Sequence, residues 1–148
     1  MATGTFDILH MGHIYFLKEA KKLGDELIVV VACDKTVRRL KHEPVTSEDM
    51  RLNLIKELRV VDGAVVGNED DMFEVVERIK PDVIALGYDQ IHDEKSLQEK
   101  LDKRHINANI VRLPKYDKTS DLDGTRRIIA KIIEAYGFQR EMEKIEQE

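Results

Sequence analysis

The sequence predicts one α/β domain built on a parallel sheet of five strands with helices on both faces. Strand-like and helix-like segments alternate five times along the 148 residues, with no internal repeat and no low-complexity linker. Residues 27–32 are apolar without alternation, which is typical of a strand buried on both faces of a parallel sheet. Such a doubly wound, Rossmann-like fold binds ligands at the carboxyl ends of its strands, near the switch in strand order.

The strands are short apolar runs that end at turn residues. They are predicted over residues 1–3, 27–32, 60–66, 83–86 and 108–113. Only three residues precede Gly4. We therefore expect the first strand either to pair weakly at its start or to follow residues upstream of Met1.

Helical periodicity fills the intervals between the strands. Helices are predicted over residues 14–23, 34–40, 46–58, 71–79, 94–103 and 124–136. Gly24 is expected to be the C′ residue that ends the first of these helices. Thr46 and Asp49 resemble a capping box at the start of the third helix, and Asp70 or Asp71 is expected to cap the fourth.

Length, composition and charge narrow the range of functions. The 42% apolar and 36% charged content indicates a globular protein. We expect a single domain over residues 1–137. Residues 138–148 form a charged C-terminal tail, expected as a frayed helix. A net charge of −5 argues against nucleic acid as a partner. The single cysteine, Cys33, excludes an intramolecular disulfide and fits a reducing cytosol. No apolar run approaches the roughly 20 residues that span a bilayer, and no signal peptide is evident, so we expect a cytoplasmic protein without a membrane partner.

Two histidines flank a glycine where the first strand turns into the first helix. His10, Gly12 and His13 immediately precede the helical pattern that begins at Ile14. A helix N-terminus presents unpaired N–H groups and the positive end of the helix dipole, and both favour a bound anion. Imidazoles at the same position add hydrogen-bond donors for phosphate oxygens. The stretch therefore predicts a binding site for a nucleoside triphosphate.

Two other functions for this turn are less well supported. Zinc takes four nitrogen or sulfur ligands, so a site on His10 and His13 needs further ligands from a small set. That set consists of Cys33, His42, His92 and His105. We therefore favour phosphate contact and expect no protein-held metal. The turn also lacks the G-x-G-x-x-G fingerprint, which argues against a dehydrogenase.

Further candidate residues lie at the predicted carboxyl edge of the sheet. Asp34 follows the second strand, where its carboxylate could either contact the hydroxyls of a ribose or cap the next helix. Lys41 lies in a loop and is the basic residue best placed to neutralise a triphosphate. Arg51 is expected in a surface ion pair, because its neighbours are acidic. Asp89 directly follows a buried strand and is expected to face a ligand or a metal. Arg126 lies in the first turn of a helix, where a basic residue opposes the dipole, so we expect it to have an anionic partner.

Residues 4–13, GTFDILHMGH, resemble the HxGH motif of the cytidylyltransferase-like nucleotidyltransferases, and the similarity covers nearly the whole chain. With residues 86–90, LGYDQ, the chain is most similar to the archaeal FAD synthases, which are close to the glycerol-3-phosphate cytidylyltransferases. Residues 118–125 read KTSDLDGT where the glycerol-phosphate enzymes carry RTEGISTT. Only Thr119 and Thr125 match, and this weakens the glycerol-phosphate assignment.

The resemblance implies which residues contact the nucleotide. They are Thr5, Phe6, His10, Met11, Gly12, His13, Asp89 and Tyr116. His10, His13, Lys41 and Arg126 are expected to act in catalysis, by alignment and by charge neutralisation. The resemblance also implies a homodimer.

The resemblance implies the transfer of AMP from ATP to FMN with release of pyrophosphate. A phosphate monoester is largely ionised near pH 7, its second pKa being about 6, so the nucleophile needs no catalytic base. A divalent cation, Mg²⁺, is expected to be held mainly by the phosphates. Glycerol 3-phosphate with CTP is the alternative within the enzyme class, and a nucleotide-binding module without turnover is the alternative outside it. The flavin ring needs an apolar or aromatic surface, for which the candidates are Tyr15, Phe73, Tyr88 and Tyr116.

Overall fold

The computed structural model contains a five-stranded parallel sheet in the order β3-β2-β1-β4-β5, and it describes residues 1–40, 43–90, 93–116 and 123–145. The strands are β1 (Ala2–Gly4), β2 (Ile28–Val31), β3 (Gly63–Val66), β4 (Val83–Leu86) and β5 (Asn109–Arg112). The helices are α1 (Met11–Lys21), α2 (Asp34–Leu40), α3 (Glu48–Lys56), α4 (Met72–Ile79), α5 (Glu94–Lys103) and α6 (Thr125–Ile145). This confirms the predicted doubly wound α/β fold with a five-stranded parallel sheet.

The shortest strand, β1, occupies the centre of the sheet. Ala2 pairs in register with Val29 of β2 on one side and with Ala85 of β4 on the other. The strand is therefore paired on both sides from its first residue. Strand order changes direction between β1 and β4, so the turn that leaves β1 lies at the switch point, where such sheets bind ligands.

Burial of β2 on both faces follows from its uninterrupted apolar sequence. Consecutive residues Val29, Val30 and Val31 are all buried, although their side chains alternate between the two faces of the sheet. One core cluster packs around β1 and β2 and includes Leu17 of α1 and Ile55 of α3. A second cluster lies between β4, α4 and α5.

The first helix begins three residues earlier than its apolar pattern predicts. His10 caps α1 by accepting a hydrogen bond from the Gly12 backbone N–H, so the helix includes the motif itself. The prediction for Gly24 is wrong. The helix ends at Lys21 with Lys22 as its C-cap, and no glycine among the described residues has a positive φ.

Several other boundaries differ from those predicted, most of them by one or two residues. Ser47, not Thr46, is the N-cap of α3, because the Thr46 hydroxyl is bonded to Asp7 instead. The third strand begins at Gly63, since Val61 donates to the Leu58 carbonyl in the turn before it. The last helix continues past residue 136 to Ile145. Within the described ranges, no helix combines the length and the apolar character needed to cross a membrane.

Candidate active site

The turn between β1 and α1 has an unusual backbone. Phe6 and Ile8 have positive φ values of 55° and 49°, a left-handed conformation that costs a non-glycine residue energy. Burial of Phe6 offsets this cost, since its side chain is only 2% exposed. A Cβ at Gly4 would lie 2.7 Å from the Phe6 ring, so the strand must end in glycine for the ring to fold beneath it. The turn is thus fixed from below by its own phenylalanine.

Asp7, between these two residues, is a buried carboxylate that fastens a second loop to the turn. Its Oδ2 accepts a hydrogen bond from the Val45 N–H at 2.8 Å. Its Oδ1 accepts from the Thr46 N–H at 3.0 Å and from the Thr46 hydroxyl at 2.6 Å. Burial acts to raise the pKa of Asp7, but these hydrogen bonds and the nearby Arg51 charge outweigh it, so the pKa lies below its ordinary value. The loop before α3 is therefore held by an ionised carboxylate.

Arg51 lies in the core, and the prediction of a surface ion pair is wrong. Its side chain is 0% exposed and donates to the carbonyls of Thr5 and Ala32, both at 2.7 Å, at the ends of β1 and β2. It also donates to the Thr46 carbonyl at 3.0 Å and pairs with Asp34 at 2.6 Å. Arg51 thus ties together four segments at the carboxyl edge of the sheet. Asp34, expected as a ribose ligand or a helix cap, is the ion-pair partner of this arginine.

His10 is held as a hydrogen-bond acceptor at the mouth of the turn. Its Nδ1 accepts from the Gly12 N–H at 3.1 Å. Burial lowers the pKa of His10, and the nearby carboxylates of Asp123 and Asp89 only partly oppose this. A neutral imidazole that accepts at Nδ1 carries its proton on Nε2, which is therefore the donor available to a ligand.

His13 lies directly against His10. The two rings stack with centroids 3.8 Å apart, and His13 meets the Phe6 ring edge-on at 5.4 Å. The rigid packing of Phe6 thus sets the position of both imidazoles. Met11, between the histidines, is half-exposed at the start of α1.

The N-terminus of α6 docks on the same turn. The Thr125 hydroxyl donates to the Asp7 carbonyl at 2.7 Å. A Cβ at Gly12 would lie 2.6 Å from the Asp123 carbonyl oxygen and 3.0 Å from the His10 ring. Only glycine therefore lets α1 and α6 meet this closely. Arg126 is exposed in the first turn of α6, beside this contact.

The other side of the site is formed by residues that follow β4 and β5. Tyr88 and Asp89 are exposed in the turn after β4. Lys115 lies 5.7 Å above the centre of the Tyr88 ring, and Tyr116 packs on Tyr15 of α1 with centroids 5.2 Å apart. Burial, followed by the charges of nearby carboxylates, raises the pKa of Tyr88. An aromatic and polar wall thus faces the histidine turn.

The fold brings most of the predicted residues to one edge of the sheet. The turn after β1 and the first residues of α1 carry six of them: Thr5, Phe6, His10, Met11, Gly12 and His13. Phe6 can contact a ligand only through its backbone, because its ring is in the core. Lys41 lies outside the described residues, as do His42, His92 and Thr119. Among the residues described, no three histidine, cysteine, aspartate or glutamate side chains form a group that could hold a metal ion.

A comparison with known families tests the resemblance. The family model described as cytidylyltransferase-like matches residues 1–131. The chain belongs to this family. A solved structure from Thermoplasma volcanium, titled a lipopolysaccharide core biosynthesis protein, is 58% identical with a TM-score of 0.78 and covers 79% of this chain and 96% of its own.

The similarity to relatives of known sequence covers most of the length of both chains. An FAD synthase of Aciduliprofundum boonei is 58% identical over 134 residues, which are 90% of this chain and 89% of the relative. FAD synthases of Thermoplasma volcanium and Archaeoglobus fulgidus are 53% and 51% identical over 137 residues, which are 93% of this chain and 95% and 98% of theirs. Similarity thus extends well beyond the HxGH turn.

Proposed function

We propose that this chain is an FAD synthase, which transfers AMP from ATP to FMN and releases pyrophosphate. Relatives that carry this name are 50–58% identical over most of the chain. The observation that carries the mechanism is the placement of stacked His10 and His13 on a helix N-terminus at the switch point of the sheet. Backbone donors, the α1 dipole and the imidazoles converge there on a position suited to phosphate.

In the proposed reaction, a terminal phosphate oxygen of FMN attacks the α-phosphorus of ATP. The bond between this phosphorus and the bridging oxygen of pyrophosphate breaks, and pyrophosphate leaves with the electron pair. No proton needs to be removed from a phosphate monoester that is already ionised. The protein therefore acts by alignment and by stabilising charge on the leaving group. The Nε2–H of His10 and the N–H groups of α1 are the donors for the triphosphate, and Arg126 and Lys41 supply positive charge.

The nucleoside is assigned to the β4 and β5 side of the turn. Asp89 and Tyr116, the two proposed contacts there, lie on loops that follow these strands. Of the aromatic candidates for the flavin ring, Phe73 is excluded, because it is buried beneath the Arg104 guanidinium at 4.8 Å. Tyr15, Tyr88 and Tyr116 are the remaining aromatic candidates.

A divalent cation would enter with the triphosphate. The described side chains provide no group of ligands for a resident ion, and Mg²⁺ needs few protein ligands when phosphates supply its oxygens. Bound in this way, Mg²⁺ neutralises charge on the phosphates. We also propose a homodimer in the cytoplasm, with no nucleic acid or membrane partner.

Four mixtures test the proposed function. Each contains the protein, Mg²⁺, either ATP or CTP, and either FMN or glycerol 3-phosphate, and pyrophosphate release is followed by a coupled assay. Release with ATP and FMN, together with FAD detected by chromatography, is the expected result. Release only with CTP and glycerol 3-phosphate would identify a cytidylyltransferase instead. Nucleotide binding without release in any mixture would contradict the proposal and favour a binding module.

A further inference from the structure

Arg112, the last residue of β5, holds the turn that follows β4. Its Nη1 donates to the carbonyl of Gly87 at 2.8 Å and to the carbonyl of Gln90 at 3.1 Å. Its Nε donates to Glu94 of α5 at 2.7 Å. Arg112 pairs in register with Leu86, so its backbone is fixed in the sheet while its guanidinium spans the turn. One side chain thus clamps both ends of residues 87–90.

Gln90 attaches the same turn to the central strand. Its Nε2 donates to the Thr3 carbonyl of β1 at 2.7 Å, and its backbone N–H closes the turn on the Gly87 carbonyl at 3.3 Å. The Gln90 Oε1 is buried and has no hydrogen-bond partner within the part of the chain that the structure describes. A buried oxygen without a partner is energetically unfavourable, so the placement of the Gln90 side chain that bonds Thr3 carries a desolvation penalty at Oε1.

The clamped turn determines where Asp89 lies relative to the histidines. Asp89 is exposed at its tip, while the residues on either side of it belong to an anchored backbone. Strand β4 lies beside β1 in the sheet, so the turn that carries Asp89 leaves the same edge as the histidine turn. The negative charge of Asp89 acts to raise the pKa of His10, against the larger effect of burial. A shift of this turn would move Asp89 relative to the triphosphate turn. The hydrogen bond from the Gly12 N–H to His10 and the stacking of His10 on His13 would remain, because neither involves residues 87–90.

We propose that Arg112 is a positioning residue for the nucleotide: by clamping residues 87–90 it places Asp89 against the nucleoside of the bound triphosphate. This inference rests on the proposed function. Arg112 then affects how tightly ATP is bound and leaves the acceptor and the chemical step largely unaffected. Gln90 contributes to the same placement through β1.

Kinetics of substituted proteins test the assignment. For Arg112→Gln we expect KM for ATP to rise about tenfold, the size typical of losing hydrogen bonds to a charged group. We expect kcat to change less than about twofold and KM for FMN to stay unchanged, because the histidine turn is intact. Arg112→Lys should recover only part of the affinity, since one ammonium cannot span two carbonyls and a carboxylate.

Arg104→Gln is the matched control. Arg104, like Arg112, is a partly exposed arginine with several acceptors, but these are two carboxylates, those of Asp71 and Glu77, rather than backbone carbonyls of the site. Its loss should leave KM for ATP unchanged. Gln90→Met keeps a side chain of similar size but removes the hydrogen bond to Thr3. It should loosen the same turn and raise KM for ATP without changing KM for FMN.

Three results are decisive. Calorimetric titration of ATP without FMN should show weaker binding by Arg112→Gln than by the parent protein. An unchanged KM for ATP in folded Arg112→Gln, or equal losses in kcat and in both KM values, would overturn the positioning role while FAD synthesis stands. A parent protein that binds no ATP would overturn the proposed function and this inference together.

Discussion

The hydroxyl of Thr125 donates a hydrogen bond to the backbone carbonyl of Asp7, with 2.7 Å between the oxygens. The two residues are 118 positions apart in the chain. The bond fastens the start of α6 to the turn that carries His10 and His13. The same Asp7 holds the loop before α3 through its carboxylate, so one residue links three segments of the proposed site.

Thr125→Val should loosen α6 without altering its shape. We expect a loss of about 1 kcal/mol in the free energy of unfolding, the typical contribution of one hydrogen bond. We expect kcat/KM to fall about tenfold, because Arg126 and the start of α6 lose their fixed distance from the histidines. Urea denaturation and steady-state kinetics measure the two effects. Thr125→Ser retains the hydroxyl and should behave like the parent protein; equal activity of the valine and serine variants would contradict this role.

Gly12→Ala should displace α6 by direct collision. The new Cβ would lie 2.6 Å from the Asp123 carbonyl oxygen, which is backbone and cannot rotate away. Overpacking of this kind costs about 1–3 kcal/mol in the free energy of unfolding. Activity should fall by a larger factor than the loss of folded protein accounts for. Gly24→Ala is the control, since nothing lies within 4 Å of its added Cβ and its φ is not positive. Similar activities for the two variants would show that the close approach at Gly12 is unimportant.

Local patterns are enough to predict the fold class, because few other folds combine a uniformly apolar strand such as β2 with a regular alternation of strands and helices. The predicted bounds of β4 and α5 match the structure, since each is bounded by turn or capping residues such as Asp93. Thr46 and Ser47 are harder to assign. Either hydroxyl could serve as the N-cap of α3. The Thr46 hydroxyl instead bonds Asp7, 39 residues away, so Ser47 is the cap.

The burial of Arg51 is the main feature of the site that the sequence prediction misses. Its acidic neighbours in sequence suggest an exposed ion pair, whereas its actual partners include carbonyls that follow β1 and β2. A usable signal is present, because Arg51 lies one helical turn before Ile55 and so on the buried face of α3. The docking of Thr125 on Asp7 has no such signal, since it depends on tertiary contacts alone.

Arg51→Met should strongly destabilise the protein. Removing one partner of a buried ion pair typically costs about 3–5 kcal/mol, and here carbonyls at three strand and loop ends also lose their donor. We expect the urea concentration at the midpoint of unfolding to fall strongly, with unfolding monitored by circular dichroism. Arg38→Met, which removes an exposed pair with Glu43, should leave the midpoint almost unchanged. Comparable midpoints for the two variants would be inconsistent with a central role for Arg51.

Asp7 should make stability depend on pH in acid. Its folded pKa is below its ordinary value of 3.8, so between these two pKa values the unfolded state binds more protons. The stabilisation is therefore present above about pH 4 and is lost as pH falls through the folded pKa. Urea unfolding from pH 7 to pH 3 should show a shallower decline for Asp7→Asn, which starts from a lower stability at pH 7. Parallel curves for parent and variant would argue that Asp7 is not ionised in the folded protein.

The most direct measurement of the proposed triphosphate site is kcat for His10→Ala and for His13→Ala in FAD formation from ATP and FMN. Circular dichroism and thermal unfolding establish first that each variant is folded. By analogy with the loss of one donor to developing negative charge, we expect kcat to fall about 10²–10³-fold in each variant. Folded variants that retain near-normal turnover would contradict the assignment of the stacked histidines to the triphosphate.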